Sequence, residues 1–135
     1  MAKILVGANG VHSAVGQHLG YAPAITIAQQ QLDQFTIATG TSGHDGLLAL
    51  ALSNFFLPQI VEIQGFAMGV NYGCEAVRFG KSLRADLRIR AGASLKSASD
   101  VPGGLQTLIE ISVEIVPSTG DPIPCCTIES LSRWY

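Results

Sequence analysis

At 135 residues, 47% apolar and only 13% charged, the chain is long enough for a packed core and too apolar to be disordered. A net charge of -2 gives no basis for nucleic acid or an anionic membrane as a partner. Cys74, Cys125 and Cys126 make neither a disulfide framework nor a metal-ligand spacing, which points to a reduced, cytoplasmic setting with no metal and no cofactor.

Residues 1–20 carry no secretory core and no membrane-spanning run follows, so residues 1–135 are expected to form a single domain with a glycine-rich lead-in over 1–20. Ala2–Val6 reads as a short strand. Gly7-Ala8-Asn9-Gly10-Val11-His12 lacks the third glycine of a dinucleotide-binding turn. The same stretch resembles a flavin-binding fingerprint of aromatic-ring hydroxylases, yet has Asn9 and Gly16 where that pattern has an acid and an arginine. Pro23–Ala28 is the next strand. Gln29–Ala38 follows as an amphipathic helix, with Leu32 and Phe35 facing in, Gln30, Asp33 and Gln34 facing out, and Gly40 ending it. Thr41–Asp45 is a polar connection in which Asp45 or Ser42 is placed to cap what comes next.

That next element is Gly46–Leu57, apolar almost all the way round and closed by Pro58. Rich in Leu and Ala, it predicts a helix, and with no polar face the helix must be buried. Burying its five Leu and two Phe completely would contribute on the order of 10–20 kcal/mol, as an upper figure. After a connector over 59–64 come four strand-like stretches: Phe66–Phe79, Leu83–Ala91, Leu105–Val116 and Cys125–Tyr135. The second alternates Leu83, Ala85, Leu87, Ile89 and Ala91 against Arg84, Asp86, Arg88 and Arg90. The third does the same, with Glu110 and Glu114 on its wet side, so Arg88 and Arg90 can face them across a hairpin turned by Pro102-Gly103-Gly104. Cys125 and Cys126, adjacent in a strand, point to opposite sides, so at most one is exposed. The order of elements predicts an α+β fold in which an antiparallel sheet curls round a central helix. An open sheet leaves edges, and edges invite a second copy.

Gly46-Leu47-Leu48-Ala49-Leu50, the stretch Gly69-Val70-Asn71-Tyr72-Gly73-Cys74-Glu75-Ala76-Val77-Arg78-Phe79, and Ile25–Phe35 followed by Ala38-Thr39-Gly40 resemble MaoC-like hot-dog proteins, the (R)-specific enoyl-thioester hydratases and dehydratases with their NodN-like relatives. The similarity covers residues 15–135. It implies a hot-dog fold, a homodimer with one continuous sheet, and a tunnel for an acyl thioester on coenzyme A or a carrier protein, in fatty acid metabolism. It also implies chemistry in which an Asp and a His act on one water and the α-proton, while a backbone N–H at the start of the central helix polarises the thioester carbonyl. Gly46 would be that start, and Asn71 and Tyr72 would line the tunnel. Arg78 and Lys81 would lie near carrier phosphates.

The departure from the family falls on the Asp and His, whose places are occupied here by Thr41 and Gly46. Only Thr41–Asp45 bridges the gap, and Gly80-Lys81-Ser82 replaces a longer turn. Three readings stay open: a non-catalytic hot-dog partner subunit; a hydratase in which His44 and Asp45 replace the usual pair; and a sequence lacking loop residues. A hot-dog thioesterase is a further alternative, with Asp45 as its sole carboxylate beside the helix.

Overall fold

In the computed structural model, which describes residues 1–135, the chain runs β1 (Lys3–Val6), α1 (Gly7–Ser13), β2 (His18–Tyr21), β3 (Ile25–Thr26), α2 (Gln29–Thr39), a 3-10 turn (Gly43–Asp45), α3 (Leu47–Ile60), β4 (Val61–Gln64), β5 (Gly69–Phe79), β6 (Arg88–Val101), β7 (Gly104–Ile115) and β8 (Ile123–Trp134). The six-stranded sheet has the order β2-β6-β7-β8-β5, with β3 also on β6, and every pairing in it is antiparallel. Alternation builds it: every second residue of β7, from Leu105 through Thr107 to Ile115, is buried. The expected cross-strand pair forms between Arg90 and Glu114 at 2.8 Å, while Glu110 faces Lys96 at 4.0 Å rather than an arginine.

The central helix lies across β6, β7 and β8 and buries Leu48, Ala49, Ser53, Phe56 and Ile60 against them. Ser53 is satisfied by donating to the Leu50 carbonyl at 2.6 Å. This is the α+β arrangement expected from sequence, with two corrections to the helix. It is not buried all round: Leu47 is 39% and Phe55 52% exposed, and Ala51 between them is also open. Spaced four apart, these side chains form one uncovered stripe, so full burial of every Leu and Phe overstates what one chain gains. Nor does Pro58 end it. The helix runs to Ile60, because the carbonyl deprived of a donor belongs to exposed Asn54, while Gln59 bonds the Phe55 carbonyl at 3.0 Å and the Val61 N–H closes onto Leu57.

The stretch over 83–87 is a correction too. Leu83 is buried as expected, yet no strand forms until Arg88, and β6 then runs far beyond Ala91 to Val101. Asp86 takes the left-handed backbone (φ 69), and the segment is clipped to Ile27 by two 2.8 Å bonds, Asp86 N–H to the Ile27 carbonyl and Ile27 N–H to the Leu87 carbonyl. The lead-in is more ordered than a glycine-rich run suggests. β1 pairs with β4 in a separate parallel two-stranded sheet, and α1 buries Val11 in the core. Cys125 and Cys126 are both buried. A bulge between the Val113 and Glu114 pairings makes Cys125 the extra residue of β8.

Candidate functional site

The site is built on the entry to α3. Gly40, at φ 72, ends α2 in the left-handed conformation that only glycine adopts without strain. The chain then makes its 3-10 turn, capped by the Ser42 hydroxyl, which accepts the His44 N–H at 3.2 Å. Ser42 thus caps the turn and not the helix, and Asp45 caps neither, against expectation. Gly46 itself is the N-cap of α3, at φ 90, and no side chain covers the first-turn N–H groups. No acidic residue stands in that turn. A 14-residue helix therefore presents uncapped donors and the positive end of its dipole at Leu47. The Phe79 ring, at the end of β5, lies against Gly46 where a side chain would otherwise sit.

Beside this entry, at the end of the sheet where β6 and β8 begin and β7 stops, opens a cavity of about 790 Å³. His44, Lys81, Arg84 and Arg88 line it, with Ile115 and Ile123 on its apolar side. The His44 ring is oriented: Nδ1 lies within hydrogen-bond distance of the Leu83 carbonyl. A carbonyl only accepts, so Nδ1 carries a proton, and in the neutral ring the lone pair is then on Nε2. Asp45 does not line the cavity.

Asn71 and Tyr72 are not brought to this place. They sit towards the far end of β5, Asn71 opposite Ser132, about 20 Å along the sheet from Phe79 at ~3.3 Å per residue of the partner strand. Tyr72 is the extra residue of a bulge, half exposed, with the Arg133 guanidinium 4.3 Å from its ring centre, and the Asn71 side chain accepts the Gly73 N–H at 3.0 Å. The two buried thiols are unsuited to nucleophilic work, since burial pushes Cys125 and Cys126 from 9.0 up to about 11. No three His, Cys, Asp or Glu side chains come together as a metal site. No helix is long and apolar enough to cross a membrane.

Sequence reasoning missed Arg84 and Arg88, which alternation assigns to a wet strand face, and Leu83, whose carbonyl orients His44. The missed signal was Gly80-Lys81-Ser82, which follows the end of β5 and leads the chain along the cavity that His44 also lines.

No protein-family model matches the chain. The 3-hydroxyacyl-thioester dehydratase Z of Mycobacterium tuberculosis is 28% identical, with 90% of this chain and 91% of the relative aligned. Nodulation protein N of Rhizobium leguminosarum bv. viciae is 31% identical, with 78% of each aligned. The alignment to the dehydratase runs over 141 positions although it uses 90% of this chain, so the relative carries segments that this chain lacks. An X-ray structure of a monoamine oxidase regulatory protein from Archaeoglobus fulgius superposes with a TM-score of 0.73 over 98% of this chain and 97% of its own, at 15% identity, and shows the same fold. Sequence likeness along most of two relatives and a shared architecture with the third converge, and the chain belongs to the MaoC-like dehydratase family of hot-dog proteins.

Proposed function

We propose that the chain binds an acyl thioester with its carbonyl oxygen at the amino end of α3, next to Gly46, and adds or removes water across the 2-enoyl bond with His44 as the base. The observation that carries this is the free Nε2 of His44 in the cavity beside an uncapped helix start. In hydration, Nε2 takes a proton from water as the oxygen bonds to the β-carbon. The electron pair moves to the thioester oxygen, held by the backbone donors and the dipole, and the imidazolium returns the proton to the α-carbon. Dehydration is the reverse. Asp45 is the other candidate, retained from its position in the chain alone. The relative's name, a 3-hydroxyacyl-thioester dehydratase, supports the substrate class.

A homodimer belongs to this reading. β5 is a full-length edge strand, and the Leu47-Ala51-Phe55 stripe of α3 is uncovered. A second copy across that edge is also the route by which Asn71 and Tyr72 would reach a site they do not reach in one chain. Three free cysteines fit a reduced, cytoplasmic compartment.

The test is crotonyl-coenzyme A, followed by loss of its enoyl absorbance. Turnover that falls at least a hundredfold in His44→Ala and little in Asp45→Ala supports the reading. Turnover insensitive to His44→Ala moves the base elsewhere, and release of free coenzyme A without hydration indicates a thioesterase. A second reading, a non-catalytic partner subunit, is favoured by the short Thr41–Asp45 connection and the segments the dehydratase has in addition. Absence of all turnover supports that one.

A further inference from the structure

We infer that the outer face of the sheet, turned away from α3, docks on the same face of a second copy, with Glu129 and Arg133 paired across a two-fold axis. This surface is separate from the β5 edge and from the His44 cavity, and the inference uses neither the thioester reading nor the edge pairing. In β7 every odd-numbered residue from Leu105 to Ile115 is buried, so the even-numbered ones point outward. The register with β8 then sets neighbouring rows on the outer face: Gln106 beside Arg133, Leu108 beside Leu131, and Glu110 beside Glu129. The first row is tied by the 3.0 Å bond from Arg133 Nε to the Gln106 side-chain oxygen. All of these side chains are half-buried.

The carboxylate row is the one that a single chain leaves unbalanced. Like charges directly opposite one another on neighbouring strands are destabilising. Lys96 reaches Glu110 at 4.0 Å, but Glu129 has no cation, since the other ion pairs are His12–Asp100 and Arg90–Glu114. Arg133, on the same face of the same strand, has the opposite surplus. Its Nε bonds a neutral amide, its guanidinium lies 4.3 Å from the Tyr72 ring centre, and no carboxylate pairs with it. Both contacts hold the guanidinium in place, so little ordering cost remains when an anion arrives, and its remaining N–H groups are free for one. Within one chain Leu131 stands between Glu129 and Arg133, whose backbones are ~13 Å apart along β8. A second copy turned about an axis along the Leu108–Leu131 row closes that distance. The rotation lays each strand on its own copy, antiparallel, and exchanges the rows on either side of the axis. Arg133 then faces Glu129 of the second copy, twice over, Gln106 faces Glu110 likewise, and the leucines close the centre. An axis along either neighbouring row would instead stack four carboxylates or two arginines. Sheets packed ~10 Å apart with strands crossing at about 30° accommodate the arrangement.

With so few apolar groups at its centre the contact is weak and salt-dependent, and it forms above the micromolar range. The experiment is sedimentation equilibrium of the full chain at low salt, from ~2 μM to ~0.2 mM. The mass should double over that range, and about 1 M salt should abolish the doubling. Glu129→Arg sets arginine against Arg133, and Arg133→Glu sets glutamate against Glu129, so each alone should weaken the association at least ~tenfold. An equimolar mixture of the two variants should restore it, as should one chain carrying both exchanges, because opposite charges then meet again at each contact. Within one chain Glu129→Arg removes the repulsion from Glu110, so its urea midpoint should rise while its association falls, whereas a folding defect would lower both. Phe55→Asp, on the α3 stripe, should start from a smaller mass at ~2 μM and still double, which separates this face from the β5 edge. No doubling at any concentration leaves the face to another molecule. Doubling that survives both reversals places the second copy elsewhere, and a mixture as weak as its components shows that the two charges do not meet. Each of these results overturns the proposal.

Discussion

Gly46→Ala tests the geometry on which the site depends. The residue sits at φ 90, where an L side chain costs about 1–2 kcal/mol. A Cβ there would also run into the Phe79 ring, with Cε1 and Cγ both at 3.0 Å and Cδ1 nearer still. Because Phe79 is 52% exposed, its ring can be pushed aside, at a further ~1–3 kcal/mol. The expected loss is about 2–5 kcal/mol, or roughly 6–20 °C in Tm for a chain of this length. The two contributions separate in a double-mutant cycle read by urea unfolding. Phe79→Ala removes the ring and leaves the backbone strain, so in that background Gly46→Ala should cost only ~1–2 kcal/mol. A loss below ~0.5 kcal/mol in the wild-type background, or the same loss in both, would refute the packing of Phe79 on the start of α3.

Phe56→Ala empties a fully buried site under the sheet and should cost about 3–5 kcal/mol, whereas Phe55→Ala, on the open stripe, should cost far less in one chain; equal losses would mean that the helix is rotated. Ellman's reagent should find one reactive thiol, Cys74, in the native protein, and Cys125 and Cys126 only after denaturation. The same two thiols link stability to alkaline pH. Unfolded chains release these protons near pH 9.0 and the folded chain holds them to about 11, so their contribution is intact below 9 and is lost as pH rises through 11. Denaturation at several pH values in that window should show a shallower decline for Cys126→Ala than for the parent; identical slopes would contradict the shift. Ultracentrifugation at micromolar concentration should give the mass of two chains, and Phe55→Asp should lower it; a parent mass of 14.2 kDa would leave the β5 edge without a copy on it.

The parts of the fold that were legible from sequence are those where one physical rule acts alone. Alternation in Leu105–Ile115 named every buried residue of β7, and Gly40 marked the end of α2 because few residues tolerate φ 72. Where two rules compete, the reading failed. The alternation over 83–91 was real as a pattern of burial, but Asp86 and its bonds to Ile27 replaced strand with a tethered turn at its first half. Pro58 argued for a stop, and the exposure of Asn54 let the helix continue. At the site, chain proximity suggested that His44 and Asp45 act as a pair, but a 3-10 turn rotates neighbours by about a third of a turn. Only His44 lines the cavity. Its orienting partner, the Leu83 carbonyl, carries no side-chain signature and lies 39 positions away.

The small parallel sheet has a consequence for how the molecule is made. β1 has a single strand partner, β4, whose residues Val61 to Gln64 pair with Lys3 to Val6 across a long stretch of intervening chain. Closing so long a segment is slow relative to forming the β6–β7 hairpin, and β2, which pairs with β6, closes a longer one still. The two strands are thus joined after the hairpins of the main sheet, and Ile4 and Val6 stay exposed even then.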